Sequence, residues 1–474
     1  MRIICFLILV FARLQTIHAQ FATPVKESIS SIVLNEQRDI EIILPEDYQS
    51  DTAHYDVWYT LDGEWTSRTF TSVASYLMGA GFMPPVIIVS VPNRYANGYE
   101  HGFNYRERDL TPTAIPYVDS SGGAGNFLAF LEKELLPFIN KKYRTSSESG
   151  LFGASYGGLF TMYALLERPL LFRFYTMSDP AFEDDNHYVP RLAARRLPEL
   201  KFTNTVLNIA GRSGLSYSSM ARDVMDSILR TTAPKGLHWH SALYDEETHS
   251  SVTFKSNYDA LKYAYLGYSS RKTRFNLTRG TVLKDRPVKA LLNTDNADMR
   301  YTADGSEPLR FSTGVNDFLI ISDPSQIRVK SFSPSGRYVR DIPIGLKAGD
   351  YTSPKKLLKK SAKGKAEPKL DSQSRMIAGL MKGVVNISQD GYYVLQLTPS
   401  KSTRMYFNDS LLVDFNVAIG HARETIILPL RKGDYAFRLE QPSKNPDDPP
   451  LEFGFYYSQD GQDEWWKSPF LLRN

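Results

Sequence analysis

Up to about Gly267 the chain alternates strand-like apolar runs with stretches that repeat at helical spacing. The run that leads into Gly63, the run entering Gly150-Leu151-Phe152, and Thr205 to Ala210 read as strands. Leu159 to Leu166 reads as a helix, and Phe127 to Ile139 is a further apolar stretch ahead of it. Leu237 to Leu243 reads as a further strand, on which His238 and His240 alternate to one side and look structural. Beyond Gly267 the texture changes to short strands separated by turn signals. Ala297 to Pro308 gives a strand, an Asp304-Gly305 turn and a return, and Ile327 to Phe332 alternates with a period of two. From about Asp371 further strand patterns follow at 383–387, 391–397, 405–414 and 430–439. The pattern predicts an α/β domain followed by two all-β sandwich domains.

The chemistry is concentrated at Gly153-Ala154-Ser155-Tyr156-Gly157-Gly158, a G-x-S-x-G sequence with one more glycine behind it. Such a motif places a serine in a strained turn between a strand and a helix, where small neighbours are needed because backbone passes close by. Serine is a poor nucleophile near neutral pH and needs a neutral imidazole to take its proton. His249, in the polar loop Asp245 to Ser251, stands at the far end of the same domain and is the candidate base.

These landmarks, with Arg38 to Pro45, Pro85 to Asn93 and Arg108 to Pro112, resemble in order the esterase D, enterochelin esterase and feruloyl or acetyl-xylan esterase branch of the α/β-hydrolases, from about Ser28 to Gly267. The resemblance implies Ser155 as nucleophile and His249 as general base. It implies an oxyanion hole from the Tyr156 N–H and the turn Gly63-Glu64-Trp65. It also implies an acid just after the strand Thr205 to Ala210, but Gly211 to Tyr217 holds no carboxylate. Glu247, Asp223 or a Ser-His dyad are the alternatives, with Asp223 ranked last. Met177-Ser178-Asp179-Pro180-Ala181 replaces the Ser-Pro-Ser of relatives and reads as a reshaped pocket wall. The loop Asn93 to Pro112 is rich in cationic and aromatic side chains, and Arg94, Tyr95, Arg106 and Arg108 are candidate substrate contacts.

The resemblance extends to the later segments. Residues 300–308 match the signature of the small Ig-like domain at the C-terminus of chitobiases, and 371–474 resembles the protective-antigen-type β-sandwich, for which only Asn408-Asp409 is available toward calcium. The expected organisation is a signal peptide at 1–19, an esterase domain at 20–270, an Ig-like domain at 275–345, a Lys-rich linker at 346–370 and a sandwich at 371–474.

Composition refines this picture in three respects. The apolar stretch Ile3 to Ala12 behind Met1-Arg2 reads as a signal peptide, which predicts a secreted or periplasmic protein. Cys5, the one cysteine, falls inside it, so the mature chain would carry neither a disulfide nor a cysteine metal site. A net charge of +4 over 474 residues, with no basic face beyond the run Lys355 to Lys365, argues against a nucleic-acid partner, and no later apolar run is long enough to span a bilayer. No cofactor or metal is implied. The leading expectation is an exported serine esterase acting on carbohydrate-linked acetyl or feruloyl esters, with possible carbohydrate binding by the last domain. A siderophore ester of the enterochelin type is the runner-up, and a glycan-binding protein with a decayed hydrolase core is the alternative from another class.

Overall fold

The computed structural model describes residues 21–96, 104–116, 118, 120–214, 217–269, 273–293, 296–354, 380–398, 403–414, 424–440, 452–458 and 461. The expected signal peptide and most of the Lys-rich linker lie outside these residues, as does His101. The chain divides into two units, the first of residues up to Tyr265 together with Pro334–Gly336, the second of Leu266–Ser333 and the residues from Arg337 onward.

In the first unit the elements are β1 (Val25–Ser31), β2 (Glu36–Ile43), β3 (Tyr55–Leu61), α1 (Gly63–Gly79), β4 (Val86–Val91), α2 (Arg106–Leu110), α3 (Ala124–Phe130), α4 (Leu136–Lys142), β5 (Thr145–Ala154), α5 (Tyr156–Glu167), β6 (Phe174–Ser178), α6 (Asp184–Arg196), β7 (Thr205–Arg212), α7 (Tyr217–Thr232), β8 (Leu237–Tyr244) and α8 (Val252–Ala264). The strands form one sheet in the order β1-β2-β4-β3-β5-β6-β7-β8, antiparallel through β1, β2 and β4 and parallel from β4 onward. Every residue of β3, β4 and β6 is buried, which is why these strands read as unbroken apolar runs: a parallel sheet covered on both faces has no polar side.

Alternation along the strands divides the core into two layers. Tyr55, Val57, Tyr59 and Leu61 of β3 face a large apolar cluster with Leu151, Phe160 and Leu207. Trp58, one step out of phase, packs on the other side against Phe70 of α1 and Phe174 of β6, with Phe152 and Tyr265 completing the aromatic group. Gly150 is obligatory there, because a Cβ at that position would lie 2.6 Å from the Trp58 ring. The Trp58 indole N–H donates to the Tyr265 hydroxyl at 3.0 Å, and that hydroxyl donates to Asp56 at 3.1 Å, so the polar atoms of Trp58 and Tyr265 are satisfied within this buried layer. A parallel sheet of this kind gathers the C-terminal ends of β3, β5, β6, β7 and β8 along one edge, where the loops that follow them can meet.

The second unit consists of short strands in several sheets. Most of its strands fall in the two segments, 275–345 and 371–474, expected to form sandwiches. Arg279–Val282 pairs in parallel with Glu424–Leu430 and with Leu346–Ala348, so one five-stranded sheet draws on both segments. Tyr392 and Ile427 are buried in the same cluster as Phe275, Leu283 and Val288. Asn408 and Asp409 are both left-handed (φ 50° and 60°) and form the two-residue turn between Arg404–Phe407 and Ser410–Asp414. Hairpin geometry therefore accounts for this pair. No helix among the described residues is long and apolar enough to cross a membrane.

Candidate active site

Ser155 sits between the last residue of β5 and the first of α5 with φ 56° and ψ −118°, a conformation that a residue bearing a Cβ adopts only when its surroundings enforce it. The glycines around it explain how. A Cβ at Gly153 would lie 2.1 Å from the Gly157 carbonyl oxygen, and one at Gly158 would lie 2.8 Å from Pro180. The turn closes only because those atoms are missing. Its backbone is also held by the neighbouring strand end: the Ser155 N–H donates to the Ser178 carbonyl at 3.0 Å, and the Ala181 N–H donates to the Ser155 carbonyl at 3.1 Å.

Asp179 lies between those two contacts, immediately after β6. Its side chain is 3 % exposed, and its Oδ2 lies 2.6 Å from His249 Nδ1. The serine turn, the carboxylate and the imidazole are thereby brought to one edge of the sheet. Asp179 also has a positive φ, 42°, and its N–H donates to the Ala210 carbonyl of β7 at 2.7 Å. A second donor, Arg212 Nε at the end of β7, reaches the same Oδ2 at 2.6 Å. Burial pulls the Asp179 carboxyl upward, but the hydrogen bonds from His249 and Arg212 outweigh it and hold the group below its ordinary value. An ionised carboxylate has no proton to donate, so His249 Nδ1 is the donor, and in the neutral form of the ring Nε2 is then the acceptor. The ring is half exposed, open to an incoming molecule.

The two acids proposed from the sequence are engaged elsewhere. Glu247 accepts from Ser251 Oγ and pairs with Lys255 Nζ at 2.6 Å, because the turn ahead of α8 directs its side chain toward that helix and away from the ring. Asp223 pairs with Arg222, its neighbour on α7, with a largely exposed side chain. The carboxylate that meets the His249 ring is Asp179, read from the sequence as part of a pocket wall. Its placement had a signal: a carboxylate at the C-terminal end of the strand beside the serine strand faces the edge where sites of such sheets form.

On the other side of the serine, β3 leads into α1 through Asp62, whose left-handed backbone (φ 53°, ψ 44°) turns the chain sharply. The Asp62 carbonyl accepts from the N–H groups of Trp65 and Thr66 at 2.9 and 3.0 Å. Trp65 N–H is therefore occupied, which removes it from the expected oxyanion pair. Gly63 and Glu64 lead the helix, so their N–H groups have no helical acceptor, and the same holds for Tyr156 at the start of α5. Gly63 has no room for a side chain, since a Cβ there would lie 2.2 Å from Ser90 Oγ and 2.8 Å from the Val91 nitrogen. The Tyr156 phenol is pushed up to about 12 by burial and by Asp184, so it is neutral near pH 7.

The four candidate substrate contacts are all bound within the protein. Arg94 and Arg108 pair with Glu36, at 3.6 and 2.7 Å, and Arg108 also pairs with Asp109. Tyr95 donates to Glu64 at 2.8 Å, and Glu64 also accepts from Asn93. Arg106 forms a two-pronged pair with Asp62, at 2.7 and 2.8 Å. His238 and His240 face Asn204 and Asn208 across strands, a structural arrangement.

Residues 31–262 match the family described as Putative esterase. Among curated proteins, the siderophore triacetylfusarinine C esterase of Aspergillus fumigatus is 30% identical over 144 residues, 29% of this chain and 47% of that protein. The ferri-bacillibactin esterase BesA of Bacillus subtilis is 27% identical over 225 residues, 42% of this chain and 75% of that protein. The chain thus spans about half the length of the first of these relatives. Among solved structures, an IroE-like serine hydrolase from Shewanella oneidensis is 32% identical with a TM-score of 0.47, covering 52% of this chain and 81% of that one. Residues 31–262, with the serine turn at their centre, are a domain of the esterase family.

Proposed function

We propose that the first unit is a serine ester hydrolase in which Ser155 is the nucleophile, His249 the general base and Asp179 the orienting acid. The observation that carries this reading is the 2.6 Å contact between Asp179 and His249, set against a serine in a strained strand-to-helix turn. Ser155 Oγ attacks the ester carbonyl carbon as His249 Nε2 takes its proton. The carbonyl oxygen becomes an oxyanion between the Tyr156 N–H and the N–H groups of Gly63 and Glu64. Collapse expels the alcohol, which receives the proton back from His249. Water, activated by the same imidazole, then attacks the acyl-serine and releases the acid.

The substrate we propose is an ester of the siderophore type. The curated relatives are named for siderophore esters, which favours this class over the carbohydrate-linked acetyl or feruloyl esters suggested by the resemblance of the later segments to accessory domains. The reading of a decayed core rested on a missing acid, and Asp179 removes that motive. We retain export as part of the proposal, to be checked by N-terminal sequencing of the mature protein. The enzymatic test compares hydrolysis of a catecholate trilactone and a hydroxamate siderophore ester, iron-free and iron-loaded, with that of methyl ferulate and acetylated xylan. Preference for the siderophore esters supports the reading, and turnover confined to the carbohydrate-linked esters overturns the substrate assignment.

A further inference from the structure

Resting on the oxyanion hole just described, we infer that Arg106 is a positioning residue whose charge makes that hole usable, by neutralising the buried Asp62 carboxylate and tying the β3–α1 turn to the serine turn. Asp62 is 2 % exposed and precedes the N–H groups of Gly63 and Glu64. Its Oδ2 also lies against the first turn of α5, 3.1 Å from where a Cβ on Gly157 would be. A negative charge is thus fixed beside both sources of oxyanion donors. An oxyanion forming there would be repelled by a carboxylate without a counter-charge, and the repulsion would be screened little in so buried a place.

Arg106 supplies the counter-charge in the geometry best suited to a carboxylate, Nε to Oδ1 at 2.7 Å and Nη2 to Oδ2 at 2.8 Å. Nη2 also donates to the carbonyl of Ala154, the residue before the serine, at 3.3 Å. The guanidinium lies 5.5 Å from the Trp65 ring centre and 5.1 Å from that of Tyr156, one ring from each of the two turns. One side chain therefore touches both halves of the oxyanion hole, and its own side chain is only 14 % exposed. Asn93 Nδ2 adds a neutral donor to Asp62 Oδ1 at 2.8 Å but cannot cancel the charge.

The sign of the charge separates this role from simple bracing. Arg106→Gln leaves the Asp62 carboxylate without its cation, Asp62→Asn leaves the guanidinium without its anion, and both break the same ion pair while leaving Glu64 with Asn93 and Tyr95. Full-length wild type, Arg106→Gln, Asp62→Asn, the double variant and Ser155→Ala would be compared with p-nitrophenyl butyrate at pH 9, reading kcat, KM and melting temperature. The expected result is that kcat falls about 10²-fold in Arg106→Gln, the size of losing one oxyanion donor, with KM changed less than about threefold. Asp62→Asn would lower kcat by no more than about 10-fold, and the double variant would recover about 10-fold over Arg106→Gln. Equal losses in the two single variants with no recovery in the double variant would overturn the inference. So would an Arg106→Gln enzyme of near wild-type kcat. If Arg106→Gln does not fold, the double variant decides: kcat within about 10-fold of wild type supports a need for neutrality, and a loss of about 10²-fold or more overturns it. Wild-type turnover that survives in Ser155→Ala, or no turnover at all, would instead remove the ester-hydrolase reading and this inference with it.

Discussion

Replacing Asp179 with asparagine removes one negative charge and almost no volume, so the effect on rate can be worked from the contacts. Arg212 Nε and His249 Nδ1 both approach Oδ2 at 2.6 Å. Arginine only donates, so in Asp179→Asn it would select the amide oxygen for that position and His249 could keep its Nδ1 proton. What is lost is the anion that stabilises the imidazolium during attack. Charge centres about 4 Å apart at an effective dielectric of about 20 interact by about 4 kcal/mol, or roughly 10³-fold in rate. The half-exposed ring admits solvent screening, so the expected fall in kcat is between about 10²- and 10³-fold. KM would change by less than about threefold, because the charge acts on the transition state. Steady-state kinetics with a p-nitrophenyl ester would measure this, with Glu247→Gln and Asp223→Asn as controls expected within about threefold of wild type. An Asp179→Asn enzyme retaining a third or more of its kcat, or a loss of about 10²-fold in Glu247→Gln, would refute the reasoning.

Three further outcomes follow from the packing and electrostatics. Asp179 is held below its ordinary value of 3.8, so its contribution to stability is complete above that pH and disappears as pH falls through the lower folded-state value; melting curves between pH 7 and 2.5 should lose this component in Asp179→Asn, and parallel curves for the two proteins would contradict it. Gly153→Ala places a methyl 2.1 Å from the Gly157 carbonyl oxygen and should lower stability by about 3 kcal/mol, read by urea unfolding. Tyr265→Phe removes the buried hydroxyl that links Trp58 and Asp56 and should cost about 2 kcal/mol in the same assay without changing KM.

Much of the first unit was legible because its signals are local. The unbroken apolar runs of β3 and β4 report burial on both faces, and the glycines of 153–158 report a turn in which backbone replaces side chains. Asp179 was overlooked because the relevant neighbourhood is set by strand order: β6 lies beside β5, so the residue after Ser178 stands next to Ser155, although 24 positions separate them in the chain. The end of β7, where the resemblance implies a carboxylate, instead holds Arg212, which donates to Asp179. The roles of Arg94, Arg106 and Arg108 were equally hidden, since a cationic loop looks alike whether its charges face solvent or meet Glu36 and Asp62. In the second unit each strand was visible by its own alternation, but the parallel pairing of Arg279–Val282 with Glu424–Leu430 joins distant segments and leaves no local mark.

Covalent trapping would show whether Ser155 is the ester-cleaving nucleophile. Treating the folded protein with a fluorophosphonate and mapping the adduct by peptide mass spectrometry should place a single phosphonyl group on Ser155, with turnover lost in proportion to labelling and no label in Ser155→Ala. An unlabelled protein that still hydrolyses esters, or turnover undiminished in Ser155→Ala, would contradict the account.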